Sequence, residues 1–194
     1  HLLHRLAERG TPVLDLEGAA SHRGSAFGSI GLEEQPSQKA FENRLYQDLR
    51  NGTGTLFTEG ESRRVGRRTI PGELFDQLTS PPRVWLETPL EQRAHRILDQ
   101  YPWPDSREEL IDGVTNLKER LGGETVRDVQ DKLRRDEVLP AIQTLLSEYY
   151  DPAYAHSSPD PEEFELQLDG RDLEAAADRL LARFPETTRE VSPE

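Results

Sequence analysis

Apolar residues recur along the chain at helical and at extended spacings, and the alternation between the two outlines a fold. Leu2, Leu3 and Leu6 lie at helical spacing and Gly10 ends the run, so residues 1 to 9 read as a helix. No capping residue precedes it, and a helix that opens on His1 is expected to be the latter part of something longer. Residues 11 to 16 are short, apolar and Pro-led, like a buried strand. Residues 17 to 37, rich in Gly, Ser and Glu, are expected to form a loop of a length usually tied to function. Ser37 predicts a cap for a helix over 38 to 50, with Phe41, Leu45 and Leu49 on one face and Asn51-Gly52 closing it. A strand is predicted over 53 to 58, then a loop over 59 to 70, and a short helix over 72 to 78 that Pro71 can start. A third strand follows at 83 to 87. The helix after it, 89 to 101, carries the stripe Leu90, Ala94, Ile97, Leu98 and Tyr101.

Three strands each followed by a helix, with no hairpin turn between them, predict an α/β fold with a parallel sheet. The pattern then turns helical: 106 to 121, 124 to 136 and 138 to 149, with breaks at Gly122-Gly123 and Pro140. After a loop over 150 to 162, a fourth strand is predicted at 164 to 168 and a closing helix at 172 to 184. The expected organisation is an α/β core over 1 to 104, a helical segment over 105 to 150, a final strand and helix over 151 to 184 that complete the core, and a frayed acidic tail over 185 to 194.

Composition narrows the chemistry. The 194 residues include no Cys and no Met, which excludes from this chain a thiolate nucleophile, a disulfide or an iron-sulfur cluster. No apolar run is long enough to span a bilayer, so no membrane partner is expected and a cytoplasmic setting is the default. The net charge of −13 is uneven. Residues 1 to 100 hold 13 Lys and Arg against 14 Asp and Glu, a net of −1, which leaves −12 on the other 94. Anion binding is therefore expected in the first half, where Arg63, Arg64, Arg67 and Arg68 form the one dense basic cluster.

Ligands of parallel α/β sheets gather beyond the carboxyl ends of the strands, which directs attention to residues 15 to 28, 59 to 68 and 87 to 93. Asp15 and Glu17 end a strand as carboxylates that hold Mg²⁺ through water do, or as caps of a turn. In SHRGSAFG, His22 and Arg23 stand beside Gly24, Ser25 and Gly28, whose amides offer an anion nest. Glu59, Glu61 and Ser62 directly precede the arginines. That juxtaposition suits a metal beside a polyanion, or a surface ion-pair network that neutralises itself. His1, His4, His95 and His156 lack metal-ligand spacing, and no zinc site is expected. No GxxxxGK[ST] phosphate loop occurs.

The blocks DLEGAASHRGSAFG, QPSQKAFEN, EGESRRVGRRTIPGELF, VWLETPLEQR, RLGG and LLSEYYDPAY, in this order from Asp15 to Tyr154, resemble the phosphate-loop half of the tRNA 2-selenouridine synthases. The resemblance implies a P-loop NTPase-like parallel sheet flanked by helices, with a helical C-terminal extension and the phosphate loop lying before His1. It implies that a rhodanese-like domain bearing the catalytic cysteine is missing from this chain. It also implies conversion of wobble 2-thiouridine in tRNA to 2-selenouridine, by way of an S-geranylated intermediate. Geranyl diphosphate and selenophosphate would be the small phosphorylated donors, Mg²⁺ has room in the chemistry, and no covalently bound cofactor is called for. On this basis Asp15, Glu17, His22, Arg23, Gly24, Ser25, Phe27, Gln35, Gln38, Glu59, Glu61 and Ser62 are candidates for substrate or phosphate binding. Arg63, Arg64, Arg67, Arg68 and Tyr154 are candidates for contact with tRNA. Gly60 stands where the family block carries an Asp, and Ala153 where it carries a Met. A nucleotide-kinase-like phosphotransferase and a noncatalytic RNA-binding module remain as alternatives.

Overall fold

The computed structural model describes residues 1–52, 54–157 and 163–185. The chain divides into two compact units, His1–Glu87 together with the segment from Phe164 onward, and Thr88–Glu163.

In the first unit, α1 (Leu2–Glu8) leads to the two-residue strand β1 (Val13–Leu14). A five-residue helix, α2 (Leu16–Ala20), stands where the Gly- and Ser-rich composition predicts loop. It forms because the Asp15 carboxylate caps it, accepting from the Gly18 amide at 2.7 Å, and because Leu16, Ala19 and Ala20 are buried. Ser21, at φ +49°, ends it in the left-handed region. Helix α3 (Gln38–Asn51) is capped by Ser37 as expected, with Phe41 and Leu45 buried; Leu49, the third member of the predicted stripe, remains 37% exposed.

Strand β2 (Phe57–Thr58) pairs in parallel with β1, Val13 opposite Phe57 and Leu14 opposite Thr58. The predicted loop over 59 to 70 contains an antiparallel hairpin, β3 (Arg64–Val65) and β4 (Arg68–Thr69). Gly66, at φ +58°, supplies the turn that arginine-rich composition concealed. Helix α4 (Gly72–Thr79) precedes β5 (Val84–Glu87), which runs parallel to β6 (Leu166–Asp169). The last helix, α10 (Leu173–Arg183), is capped by Asp172, which accepts from the amides of Glu174 and Ala175.

The parallel α/β character holds, but the strands form two short parallel ladders, β1–β2 and β5–β6, in place of one continuous four-stranded sheet. They contribute to one apolar cluster: Val13, Phe57, Val84, Leu86, Leu166 and Leu168 pack with Leu6 of α1 and Ala176, Ala177 and Leu180 of α10. A second cluster, Leu14, Leu16, Phe41, Leu45, Val65 and Ile70, ties α2 and α3 to the hairpin.

The second unit is helical: α5 (Leu90–Leu98), α6 (Arg107–Thr115), α7 (Lys118–Arg134), α8 (Val138–Leu145), a π-helical turn Leu146–Tyr150 and α9 (Asp151–Ser157). The break expected at Gly122-Gly123 is a kink inside α7, with Gly122 at φ +77°. Residues 151 to 157, predicted as loop, continue the preceding helix through the π turn. Helix α5 packs on α8, and Arg93 donates to the Asp151 carboxylate through Nη1 and Nη2, at 2.6 and 2.8 Å. The remainder of the predicted loop over 158 to 162 and the tail from 186 lie outside the described residues. Among the described residues no helix is long and apolar enough to cross a membrane.

Candidate functional site

The parallel register sets Leu14 beside Thr58, so the residues that follow, Asp15 and Glu59, leave the two strands together. Thr58 Oγ1 donates to the Leu14 carbonyl at 2.8 Å and locks this end. Glu59 turns back onto the start of α2 and accepts from the Leu16 amide at 3.0 Å. Glu17 and Glu61 hydrogen-bond each other. Both lie against Gly24, whose φ of +65° and missing side chain admit them: a Cβ there would sit 2.8 Å from Glu17 Oε1.

Four carboxylates thus crowd one end of β1–β2. Burial pushes the Glu17 carboxyl up to about 8, with Glu61 and then Glu59 adding repulsion. Burial likewise raises Glu59 to about 7, against the Leu16 amide that favours its charge, and burial raises Glu61. Near neutral pH, Glu17 therefore holds its proton against the neighbouring Glu61 carboxylate.

The SHRGSAFG segment is wound on its own histidine. His22, 9% exposed, is wedged between Gly28 and Gly66, and its Nδ1 accepts from the Gly24 amide at 3.1 Å. Burial, then Arg23 and Arg67, lower its pKa, so the imidazole is neutral at physiological pH. The Arg23 amide donates to the Gly28 carbonyl at 3.0 Å and its Nη1 to the Ile30 carbonyl at 2.7 Å. Of the amides proposed as an anion nest, that of Gly24 goes to His22 and that of Gly28 to the Ser25 carbonyl. Ser25 Oγ accepts from the Phe27 amide, and the Phe27 ring is buried.

The hairpin projects Arg63, Arg64 and Arg67 into solvent and leaves Arg68 half-buried. Among the described residues none of these four is ion-paired, so the self-neutralising network is not what forms. Ser62 Oγ donates to the Arg64 carbonyl at 2.8 Å. Gln35 spends its amide on backbone, and Gln38 divides its own between backbone and the Glu42 carboxylate, to which Nε2 donates at 2.8 Å. Gln35 Oε1 accepts from the Arg67 amide at 2.7 Å, and its Nε2 donates to the carbonyls of Ala20 and Val65. Gln38 holds both the amide and the carbonyl of Thr69. Arg44, which sequence reasoning passed over, donates to the Ala19 carbonyl at 3.0 Å near the end of α2. Its place four residues before Asp48 on a polar helix face carries no signal of that contact. Tyr154, 56% exposed on α9, belongs to the second unit, as do Glu91 and Arg93.

The carboxylates do not fit a Mg²⁺ site. Asp15 and Glu59 are spent on backbone amides, Glu17 and Glu61 bond each other, and among the described residues no group of three or more candidate ligands is placed to hold a metal.

The first unit is thus an α/β fold of short parallel ladders, with a carboxylate cluster at one strand end and a basic hairpin beside it. Residues 1–173 match the family model of the tRNA 2-selenouridine synthase AAA domain, and the chain belongs to that family. It is 36% identical over 186 residues to the tRNA 2-selenouridine synthase of Pseudomonas putida strain F1, covering 80% of this chain and 49% of that protein. To the tRNA 2-selenouridine synthase of Pseudomonas aeruginosa strain LESB58 it is 38% identical over 174 residues, covering 73% of this chain and 47% of that protein. The chain spans about half the length of the curated relatives it matches. No solved structure matches it significantly.

Proposed function

We propose that this chain serves, within a tRNA-modifying transferase, as the part that grips tRNA and a phosphorylated donor while wobble 2-thiouridine becomes 2-selenouridine. The nucleoside sulfur attacks C1 of geranyl diphosphate, the carbon–oxygen bond breaks, and diphosphate leaves with the electron pair. Selenium of selenophosphate then adds to C2 of the base, the C2–sulfur bond breaks and geranylthiolate leaves with the electron pair, and hydrolysis of the selenium–phosphorus bond releases phosphate. A thiolate for that second step would come from a rhodanese-like domain, and residues 1 to 194 alone are expected not to complete it. On this reading the two ladders β1–β2 and β5–β6 are parts of a P-loop NTPase-like core, and the second unit is its helical extension.

The observation that carries the reading is the hairpin, with four guanidiniums free of ion pairs among the described residues. Arginines presented this way can contact tRNA phosphates and stabilise the charge that develops on a departing diphosphate. The carboxylate cluster supplies a complementary function. Alkylating the sulfur of 2-thiouridine releases the N3 proton, and the Glu61 carboxylate beside protonated Glu17 keeps an acceptor available near neutral pH.

The test is nucleoside analysis by mass spectrometry, with full-length protein given thiolated tRNA, geranyl diphosphate and selenophosphate. The variant R63A/R64A/R67A/R68A is expected to raise KM for tRNA by about 10- to 100-fold, the loss expected when several phosphate contacts are removed. An unchanged KM, or a wild-type protein that forms no 2-selenouridine, would refute the proposal.

A further inference from the structure

The hairpin that carries the arginines has only two paired residues in each strand, Arg64 opposite Thr69 and Val65 opposite Arg68. A two-stranded ladder of that length does not hold its shape in water unaided. Burial of Val65 and Ile70 anchors its inner face. Its backbone is fixed by two side-chain amides. Gln38 Oε1 accepts from the Thr69 amide at 3.0 Å and Nε2 donates to the Thr69 carbonyl at 2.7 Å, the pair of bonds that a neighbouring strand would make. Gln35 does the same work at the turn, with its Oε1 on the Arg67 amide at 2.7 Å and its Nε2 on the Val65 carbonyl at 3.1 Å. Gln35 also reaches the Ala20 carbonyl at 3.0 Å, which joins the turn to the end of α2. Gly66 leaves room for this arrangement. A Cβ there would sit 2.5 Å from Gln35 Oε1 and 2.6 Å from His22 Cδ2.

We infer that Gln35 and Gln38 are positioning residues for RNA: they hold the hairpin backbone so that Arg63, Arg64, Arg67 and Arg68 meet successive phosphates without first being ordered. The inference rests on the reading of the hairpin as a tRNA contact. A braced hairpin makes no payment in loop entropy at the moment of binding, so removing the brace weakens binding without removing a charge. Only an amide meets the demand. A carboxylate at either position would accept from the Arg67 or Thr69 amide, yet would set a negative oxygen against the Val65, Ala20 or Thr69 carbonyl.

Binding of full-length protein to tRNA is measured by fluorescence anisotropy across a salt series, for wild type, Q35M/Q38M, R63A/R64A/R67A/R68A and the combination. Methionine keeps side-chain bulk and removes the bonds. Q35M/Q38M is expected to weaken binding roughly 5- to 10-fold and to lower the salt slope, because fewer phosphates are engaged at once. The combined variant is expected to bind no more weakly than the arginine variant, since nothing is left to position. Should the double Met variant fail to fold, Q38M alone, which loses the two Thr69 bonds and an exposed bond to Glu42, carries the test, with faster exchange of the Thr69 amide as its second readout. Unchanged affinity and slope in the Met variants, or losses that add to those of the arginine variant, would overturn the inference. An arginine variant that binds as wild type does would instead overturn the reading of the hairpin beneath it.

Discussion

Residues 59 to 68 carry two carboxylates and four arginines within ten positions, and the structure treats the two signs in opposite ways. Glu59 and Glu61 turn in toward α2 and Gly24, where burial raises the pKa of both. Arg63, Arg64 and Arg67 turn out on a hairpin and keep their charge in water. Adjacent opposite charges need not neutralise each other. Backbone direction decides, and here it yields one region suited to storing protons and another suited to meeting an anion.

The glycines that shape the two regions should show the largest effects on stability. Gly66→Ala would force a side chain into the left-handed region and into Gln35 and His22, and is expected to cost about 2 to 4 kcal/mol in urea unfolding. Gly24→Ala, pressed on Glu17 and Glu61, should cost about as much. A cost near zero at Gly66 would mean that the hairpin is not seated on His22.

Titration separates the regions next. Glu17 and Glu59 bind protons more tightly folded than unfolded, so the native state carries extra protons between about pH 4.5 and 8 and stability falls as pH rises through that window. Replacing Glu17 by Gln should flatten that slope and stabilise the protein at pH 8 by about 1 kcal/mol, a figure discounted for partial exposure. His22 acts in the opposite sense. Its pKa is depressed by burial, so its contribution is lost as pH falls below about 6.5, and this acid limb should survive in Glu17→Gln. Thermal unfolding across pH 5 to 9 would expose both limbs, and a variant as pH-dependent as wild type would break the comparison.

Smaller effects remain on the hairpin. Arg67→Ala should change stability by no more than about 0.5 kcal/mol, as befits an exposed side chain without an ion pair among the described residues. Millimolar Mg²⁺ should leave the melting temperature of the isolated chain within about 1 °C, because the carboxylates are committed to backbone and to each other. A clear upward shift would restore the metal reading.

Much of this was legible in the sequence, for physical reasons that can be named. Long amphipathic stretches announced α3, α8, α10 and the part of α7 after Gly123, whereas the helix expected over 106 to 121 ends at Thr115, and the Ser37 and Asp172 caps lay where side-chain chemistry requires them. The strand ends alone make Asp15, Glu17, Glu59 and Glu61 neighbours. Helix α2 was hidden because five residues leave no period to detect, and the hairpin because arginines mask a Gly turn. Gln35 and Gln38 belong to one of the family-like blocks, but their bonds to the backbone of Val65, Arg67 and Thr69 span about thirty residues. No local pattern encodes that distance. The burial that lowers the His22 pKa likewise depends on Gly28 and Gly66 closing over it.

The most direct measurement of the central claim, that the hairpin arginines and not the neighbouring carboxylates meet RNA, is the salt dependence of tRNA binding by full-length protein. For R63A/R64A/R67A/R68A the slope of log affinity against log salt should become shallower by about 2 to 3, while Glu17→Gln should leave it unchanged. An arginine variant with the wild-type slope would contradict the account.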